Sequence, residues 1–151
     1  MSGTSVHEGG CFCGAVRFTL QGKPEAMAYC HCNSCRHWSA GPVSAFTLWR
    51  PDALQLTAGA DKIAVFDGNP GTEDERLLSK RQWCSVCGGH IYTEHPAMGL
   101  IDVPTAVIEN FDFKPVFHVH YQETVHHMAD GLPKYQDLPA QAGGSGRQLP
   151  E

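Results

Sequence analysis

Read by side-chain polarity, the chain is a series of short alternating runs. From Cys11 onward, Phe12, Val16, Phe18 and Leu20 fall on one face and Cys11, Cys13, Arg17 and Thr19 on the other. That pattern predicts a half-buried strand whose two cysteines point the same way, because strand side chains repeat every second residue. EAMAYCHC predicts a second strand, with Ala28, Cys30 and Cys32 sharing a face, and VSAFTLW a third, entered through Gly41-Pro42. LQLTAG and KIAVFDG are two further runs, each closed by a glycine. ERLLSKRQW permits helix or strand; no C-cap signal precedes Cys84, so a strand running into that cysteine is expected. With GGHIYTEHP, MGLIDV and KPVFHVHY the total is about nine short strands, the all-β pattern.

Residues 1–8 are expected to be a flexible lead-in, 9–139 one domain, and the Gly/Ser/Gln-rich segment 140–151 a flexible tail. GNPGTEDE predicts a solvated acidic loop carrying Glu73, Asp74 and Glu75. A length of 151 residues suits a single domain, and a hydrophobic fraction of 42% supplies a core without disulfide staples. The net charge of −5 and the lack of any Lys/Arg run argue against nucleic acid or an anionic membrane as partner. No stretch reaches the roughly 18 apolar residues of a membrane span. MSGTSVHEGG lacks a basic and an apolar region, so no signal peptide is expected and a cytoplasmic location follows as the default. Thiols stay reduced there, and seven is an odd number for a disulfide framework, so the cysteines point to metal.

The cysteines fall in three groups: Cys11-x-Cys13, Cys30-x-Cys32-x-x-Cys35 and Cys84-x-x-Cys87. A C-x-C on a strand aims both sulfurs to one side, and CSVCGG makes a tight knuckle whose amides can bond to thiolates. Seven ligands allow one closed four-sulfur site, the structural form of zinc, and one three-sulfur site with a free position, the catalytic form. Two partitions are compatible with the spacing. Cys32 and Cys35 could join Cys84 and Cys87 as in zinc ribbons, or Cys11 and Cys13 could join Cys84 and Cys87.

GGCFCGAVRF, YCHCNSCRHWSAG, QWCSVCGGHIY and DGLPKY together resemble the glutathione-dependent formaldehyde-activating enzyme family, the CENP-V/GFA domain, from about Gly9 to Pro139. The resemblance implies a mostly β, Mss4-like (β-tent) zinc-binding fold of short antiparallel strands. It assigns Cys11, Cys13, Cys84 and Cys87 to structural zinc and Cys30, Cys32 and Cys35 to catalytic zinc. Two zinc ions per chain are implied, the second site being the less tightly filled. The family's name-giving activity is condensation of formaldehyde with glutathione, a carbon–sulfur lyase reaction, so a thiol and a small aldehyde are the implied partners. In the formaldehyde–glutathione enzyme a long helical extension follows the zinc-bearing core. This chain has its short Gly/Ser-rich segment there, so the zinc chemistry is expected to transfer better than the glutathione.

A zinc with three thiolates is a blunted Lewis acid, better suited to holding an incoming thiol as nucleophile than to making hydroxide. His37, just past the third cysteine, is the candidate proton donor. His31 is expected on the strand face opposite Cys30 and Cys32, and Arg36 could meet a substrate carboxylate. His118 and His120 alternate in KPVFHVHY and are expected to form a solvent-facing pair, with His126 and His127 also on the surface. Trp38, Trp49 and Trp83 are expected in the core or shielding the metal. The rival reading is a non-catalytic binding module in which both cysteine sets are structural.

Overall fold

Ten short strands, one helix and several 3-10 turns build the described residues, 3–74 and 78–151, of this computed structural model. In chain order the first strands are β1 (Val6–Gly10), β2 (Arg17–Gln21), β3 (Ala26–Cys30), β4 (Ser44–Trp49) and β5 (Leu54–Ala58). They continue as β6 (Ile63–Asp67), β7 (Lys80–Cys84), β8 (His90–His95), β9 (Leu100–Pro104) and β10 (Phe117–Val119); the helix α1 spans Asn33–Ser39. The fold is the mostly β class expected. Two compact units are traced: one joins the chain up to Glu25 with Thr47–Asp112, the other joins Ala26–Phe46 with Phe113–Glu151.

In the first unit, β1, β2 and β5 pair antiparallel in that order, with Gly9 opposite Phe18 and Phe18 opposite Leu56. β6 to β9 form an antiparallel meander in which Ile63 faces Cys84, Gln82 faces Tyr92 and Thr93 faces Asp102. Alternation is the reason these segments are strands: Phe18 and Leu20 of β2, Ile91 and Thr93 of β8, and Ile101 and Val103 of β9 are the buried positions of each pleat. They meet Val16, Trp49 and Ile108 in one apolar cluster that also takes in Cys11 and Cys84. Each large side chain fully buried there contributes about 1.5–3 kcal/mol. The buried polar groups are paired: Trp49 donates Nε1–H to Thr47 Oγ1 at 2.7 Å, and Thr47 donates to the Val103 carbonyl at 2.7 Å.

Two expectations change here. Val6–Gly10, partly inside the expected lead-in, is strand β1. Its VHEGG text hides the alternation, because polar His7 packs edge-on against Trp49 and Phe111. The strand expected from Cys11 begins only at Arg17. Cys11 and Cys13 sit in the preceding turn, closed by Cys11 N–H to the Val16 carbonyl and Gly14 N–H to the Cys11 carbonyl. Phe12, 92% exposed, therefore leaves the core face. The strand expected to enter Cys84 is β7; Glu75 to Leu77, including part of the expected acidic loop, lie outside the described residues.

In the second unit β3 and β10 pair in parallel, with His118 opposite Tyr29 and Val119 opposite Cys30. β3 stops at Cys30, so Cys32 is not on the strand. It caps α1, its sulfur accepting the Cys35 N–H at 3.2 Å. The helix is seven residues long with no buried side chain, so no apolar stripe announced it. His118 and His120 do not form a solvent-facing pair. β10 is three residues long, His118 and Val119 are both buried, and His120 leaves the strand at φ 52°. The segment after Pro139, expected to be a flexible tail, runs back along the chain: Tyr135 bridges Gln148, and Leu149 N–H reaches the Lys134 carbonyl at 2.8 Å. No helix among the described residues is long and apolar enough to cross a membrane.

Candidate metal centres

The first unit gathers four sulfurs. Cys11 follows β1, Cys13 sits in the turn before β2, and Cys84 and Cys87 frame the turn between β7 and β8. All four Sγ atoms lie within 4.8 Å of one another, with Cys11 to Cys13 at 3.7 Å and Cys13 to Cys84 at 3.9 Å. Tetrahedral zinc with bonds of about 2.3 Å sets its sulfurs about 3.8 Å apart, so the spacing fits that ion. Backbone amides complete the cradle: Val16 N–H points to Cys11 Sγ at 3.2 Å and Gly89 N–H to Cys87 Sγ at 3.3 Å. The amides of Gly89 and Cys13 bring the Cys87 thiol down to about 6. The Ala15 amide favours a Cys13 thiolate, but desolvation and the sulfurs of Cys87, Cys11 and Cys84 push that thiol up to about 11. The same crowding that keeps Cys13 protonated would favour a cation, which lets all four sulfurs ionise together.

The second unit gathers the other three. Cys30 ends β3, Cys32 caps α1 and Cys35 lies in its first turn, their sulfurs again within 4.8 Å of one another. Cys32, bonded by the Cys30 and Cys35 thiols, falls to about 2. Cys30 is raised well above an ordinary thiol by Cys32 and Cys35 and by its own burial. The first sulfur to ionise is solvated by its neighbours; the next must ionise beside an anion. Such a donor set suits a thiophilic divalent ion, and four and three sulfurs account for all seven cysteines.

The remaining candidates are placed as follows. His37 is exposed on α1 and Trp38 half-buried. Arg36 donates Nε–H to the His31 carbonyl at 2.9 Å, so part of its guanidinium is already engaged. Trp49 is buried in the core of the first unit, and Trp83 is half-buried beside Cys84. His126 and His127 are exposed.

His31 is fully buried, and so is His118, its partner at 2.9 Å between Nε2 and Nδ1. His118 Nε2 lies 2.8 Å from Asp130 Oδ2, and His31 Nδ1 lies 2.8 Å from Thr124 Oγ1. Burial, with smaller contributions from His118, His126, Arg36 and Lys134, lowers His31 to about 4, which leaves it neutral at pH 7. Sequence reasoning missed this network. The signal that could have found it is DGLPKY, where Asp130 and Lys134 stand four apart.

The family described as glutathione-dependent formaldehyde-activating enzyme matches residues 6–123. A Halomonas elongata protein provisionally named a glutathione-dependent formaldehyde-activating enzyme is 27% identical over 135 residues, 87% of this chain and 80% of its own. An uncharacterized lyase of Schizosaccharomyces pombe is 24% identical over 57% of this chain. A Fusarium vanettenii protein with the same provisional name as the Halomonas one is 30% identical over 63% of this chain. The aligned regions span only 56% and 50% of the Schizosaccharomyces and Fusarium proteins. A crystal structure of a Rhodobacter sphaeroides protein shares the fold at TM-score 0.55 and 19% identity, covering 70% of this chain and 90% of its own. With a family match over most of its length, the chain belongs to the glutathione-dependent formaldehyde-activating enzyme family.

Proposed function

We propose that the protein is a zinc-dependent carbon–sulfur lyase-like enzyme that joins a small thiol, glutathione foremost, to a small aldehyde such as formaldehyde. Cys11, Cys13, Cys84 and Cys87 would hold a structural zinc, and Cys30, Cys32 and Cys35 a catalytic one with a position left for substrate. That second ion would supply acidification of the incoming thiol and a fixed sulfur nucleophile. The carrying observation is the inequality of the two clusters: one presents four sulfurs at tetrahedral spacing, the other three. The names of the relatives support the choice of thiol and aldehyde.

Cys30 is buried while Cys32 and Cys35 are half-buried, so substrate would approach from the α1 side. In the addition the thiol loses its proton, a carbon–sulfur bond forms, the carbonyl π bond breaks, and the oxygen takes up a proton. His37, exposed two residues beyond Cys35, is the proton donor in this reading; His31 is already committed to His118 and Thr124. Much of the acceleration would come from holding thiol and aldehyde together, since the uncatalysed addition is already easy. Exchange NMR of formaldehyde with glutathione tests the proposal directly. Micromolar protein should accelerate exchange, and unchanged exchange with zinc-replete protein would remove this activity.

A further inference from the structure

His31 stands between two of the three clustered cysteines, and every polar group it has is engaged. Its N–H donates to the Val119 carbonyl at 3.1 Å, and its carbonyl accepts from Arg36 Nε at 2.9 Å. Its ring bonds His118 through Nε2 and Thr124 through Nδ1. The residue whose backbone torsions aim both Cys30 and Cys32 is thus held at four points.

The side-chain bonds form one continuous chain. The Asp130 carboxylate accepts from His118 Nε2. His118 Nδ1 and His31 Nε2 share one hydrogen between them, and His31 Nδ1 pairs with the Thr124 hydroxyl. Thr124 Oγ1 is itself held by the His126 backbone, 3.0 Å from its carbonyl and 3.2 Å from its N–H. Tyr29 stacks on the His118 ring at 4.9 Å and 24°, and Tyr121 packs edge-on to both histidines. Asp130 itself is fixed at its other oxygen by Lys134 Nζ at 2.7 Å and Leu132 N–H at 3.1 Å.

We propose that His118 and Asp130 are positioning residues of the three-cysteine site, holding the Cys30–Cys32 segment in its metal-binding geometry through His31. The inference rests on the reading of that cluster as a metal site. With three protein ligands instead of four, affinity depends more on ligands being in place before the ion arrives. Outer partners of metal ligands typically contribute 10–100-fold in affinity when removed.

The molecule carries its own control, because the four-cysteine cluster reports metal binding without this network. Cobalt(II) titration of the full chain, followed by the thiolate absorption bands, should resolve a tight and a weaker equivalent. Asp130→Asn leaves one acceptor oxygen for three donors, and His118→Gln offers only one of the two bonds the ring makes. Both variants should weaken the second equivalent about 10–100-fold and alter its absorption bands, with the first unchanged. Second-site affinity equal to wild type in folded Asp130→Asn would overturn the proposal, as would equal weakening of both sites. A wild-type chain that accepts a single equivalent would overturn the metal reading itself and this inference with it. Selective weakening in protein that leaves formaldehyde exchange unaccelerated would uphold the positioning role while removing the proposed activity.

Discussion

Lys134 Nζ lies 2.7 Å from Asp130 Oδ1 and 2.9 Å from Glu151 Oε1, with only 1% of the lysine side chain exposed. Burial opposes the charge on Lys134, but the two carboxylates outweigh it and hold its pKa above the ordinary value. Burial likewise opposes a charged Asp130, and the bonds from Lys134 and His118 outweigh it and hold that carboxyl well below its usual range. Glu151 is lowered by Lys134 and by the Gly131 amide.

Lys134→Met should therefore destabilise the fold. Breaking a fully enclosed pair costs roughly 3–5 kcal/mol. Asp130 and Glu151 are 30% and 40% exposed, so water offsets part of the loss and about 2 kcal/mol is expected. Urea unfolding of the zinc-loaded protein at pH 7 measures it; a midpoint equal to wild type would contradict the ledger of bonds at Lys134.

The same network sets a pH window. The depressed carboxyls contribute stability that is present above their unfolded values of about 3.9 and 4.3 and is lost as pH falls through their folded ones. The raised lysine contributes stability that is present below about 10.4 and is lost as pH rises through its folded value. The stability gap between wild type and Lys134→Met should be widest from about pH 5 to 10 and should narrow on either side. A gap constant from pH 3 to 7 would show that the carboxylates are not coupled to the lysine.

The two cysteine clusters should respond differently to loss of one ligand. Cys87→Ala should unfold or aggregate, since a closed zinc site contributes folding energy outright. Cys35→Ala should keep the wild-type circular dichroism, bind one zinc equivalent fewer, and lose acceleration of formaldehyde exchange. His37→Gln should retain both zinc equivalents and slow the exchange by about 100-fold or more if the ring hands over the proton.

Thr47→Val removes a hydroxyl that both accepts from Trp49 and donates to Val103 in the buried core of the first unit. The indole N–H and a carbonyl are left unpaired, and about 1–3 kcal/mol of stability should go. Thr47→Ser keeps the hydroxyl and should recover most of it, which separates the hydrogen bonds from packing.

Gly59 has φ 74°, and a Cβ there would overlap the Ala15 carbonyl oxygen. Gly99 has φ 64° and open space around the same point. Gly99→Ala should cost about 1–2 kcal/mol for the left-handed backbone alone. Gly59→Ala should lower the melting temperature further, because Ala15 leads into Val16, whose amide and carbonyl close the Cys11 turn.

Strands β8 and β9 were legible because the alternation of their buried face is written locally, and β4, β5 and β6 because each coincides with a run of apolar positions. Strand β1 was not, since His7 earns its place by packing on Trp49 and Phe111, far along the chain. The helix α1 was not, since none of its side chains is buried and its cap is a cysteine instead of Ser, Thr, Asp or Asn. Reading Cys11 and Cys13 as strand residues failed for a related reason. Their periodicity fits a strand, but Gly14, at φ 81°, lets the chain turn before β2 begins.

By itself the sequence determined the mostly β class, the family and the three cysteine groups, because each depends on spacing between near neighbours and survives without knowledge of distant contacts. Spacing left two partitions of the cysteines open and the resemblance chose between them; the tertiary structure brings those same groups together and alone shows what stands behind them. Cys13 meets Cys84 across 71 residues, and His31 meets His118 across 87, so no local period records either pairing. Burial reversed the role of His118: alternation marks it as outward-facing, yet Tyr29, His31 and Asp130 enclose it, and a polar ring becomes core once each of its nitrogens has a partner.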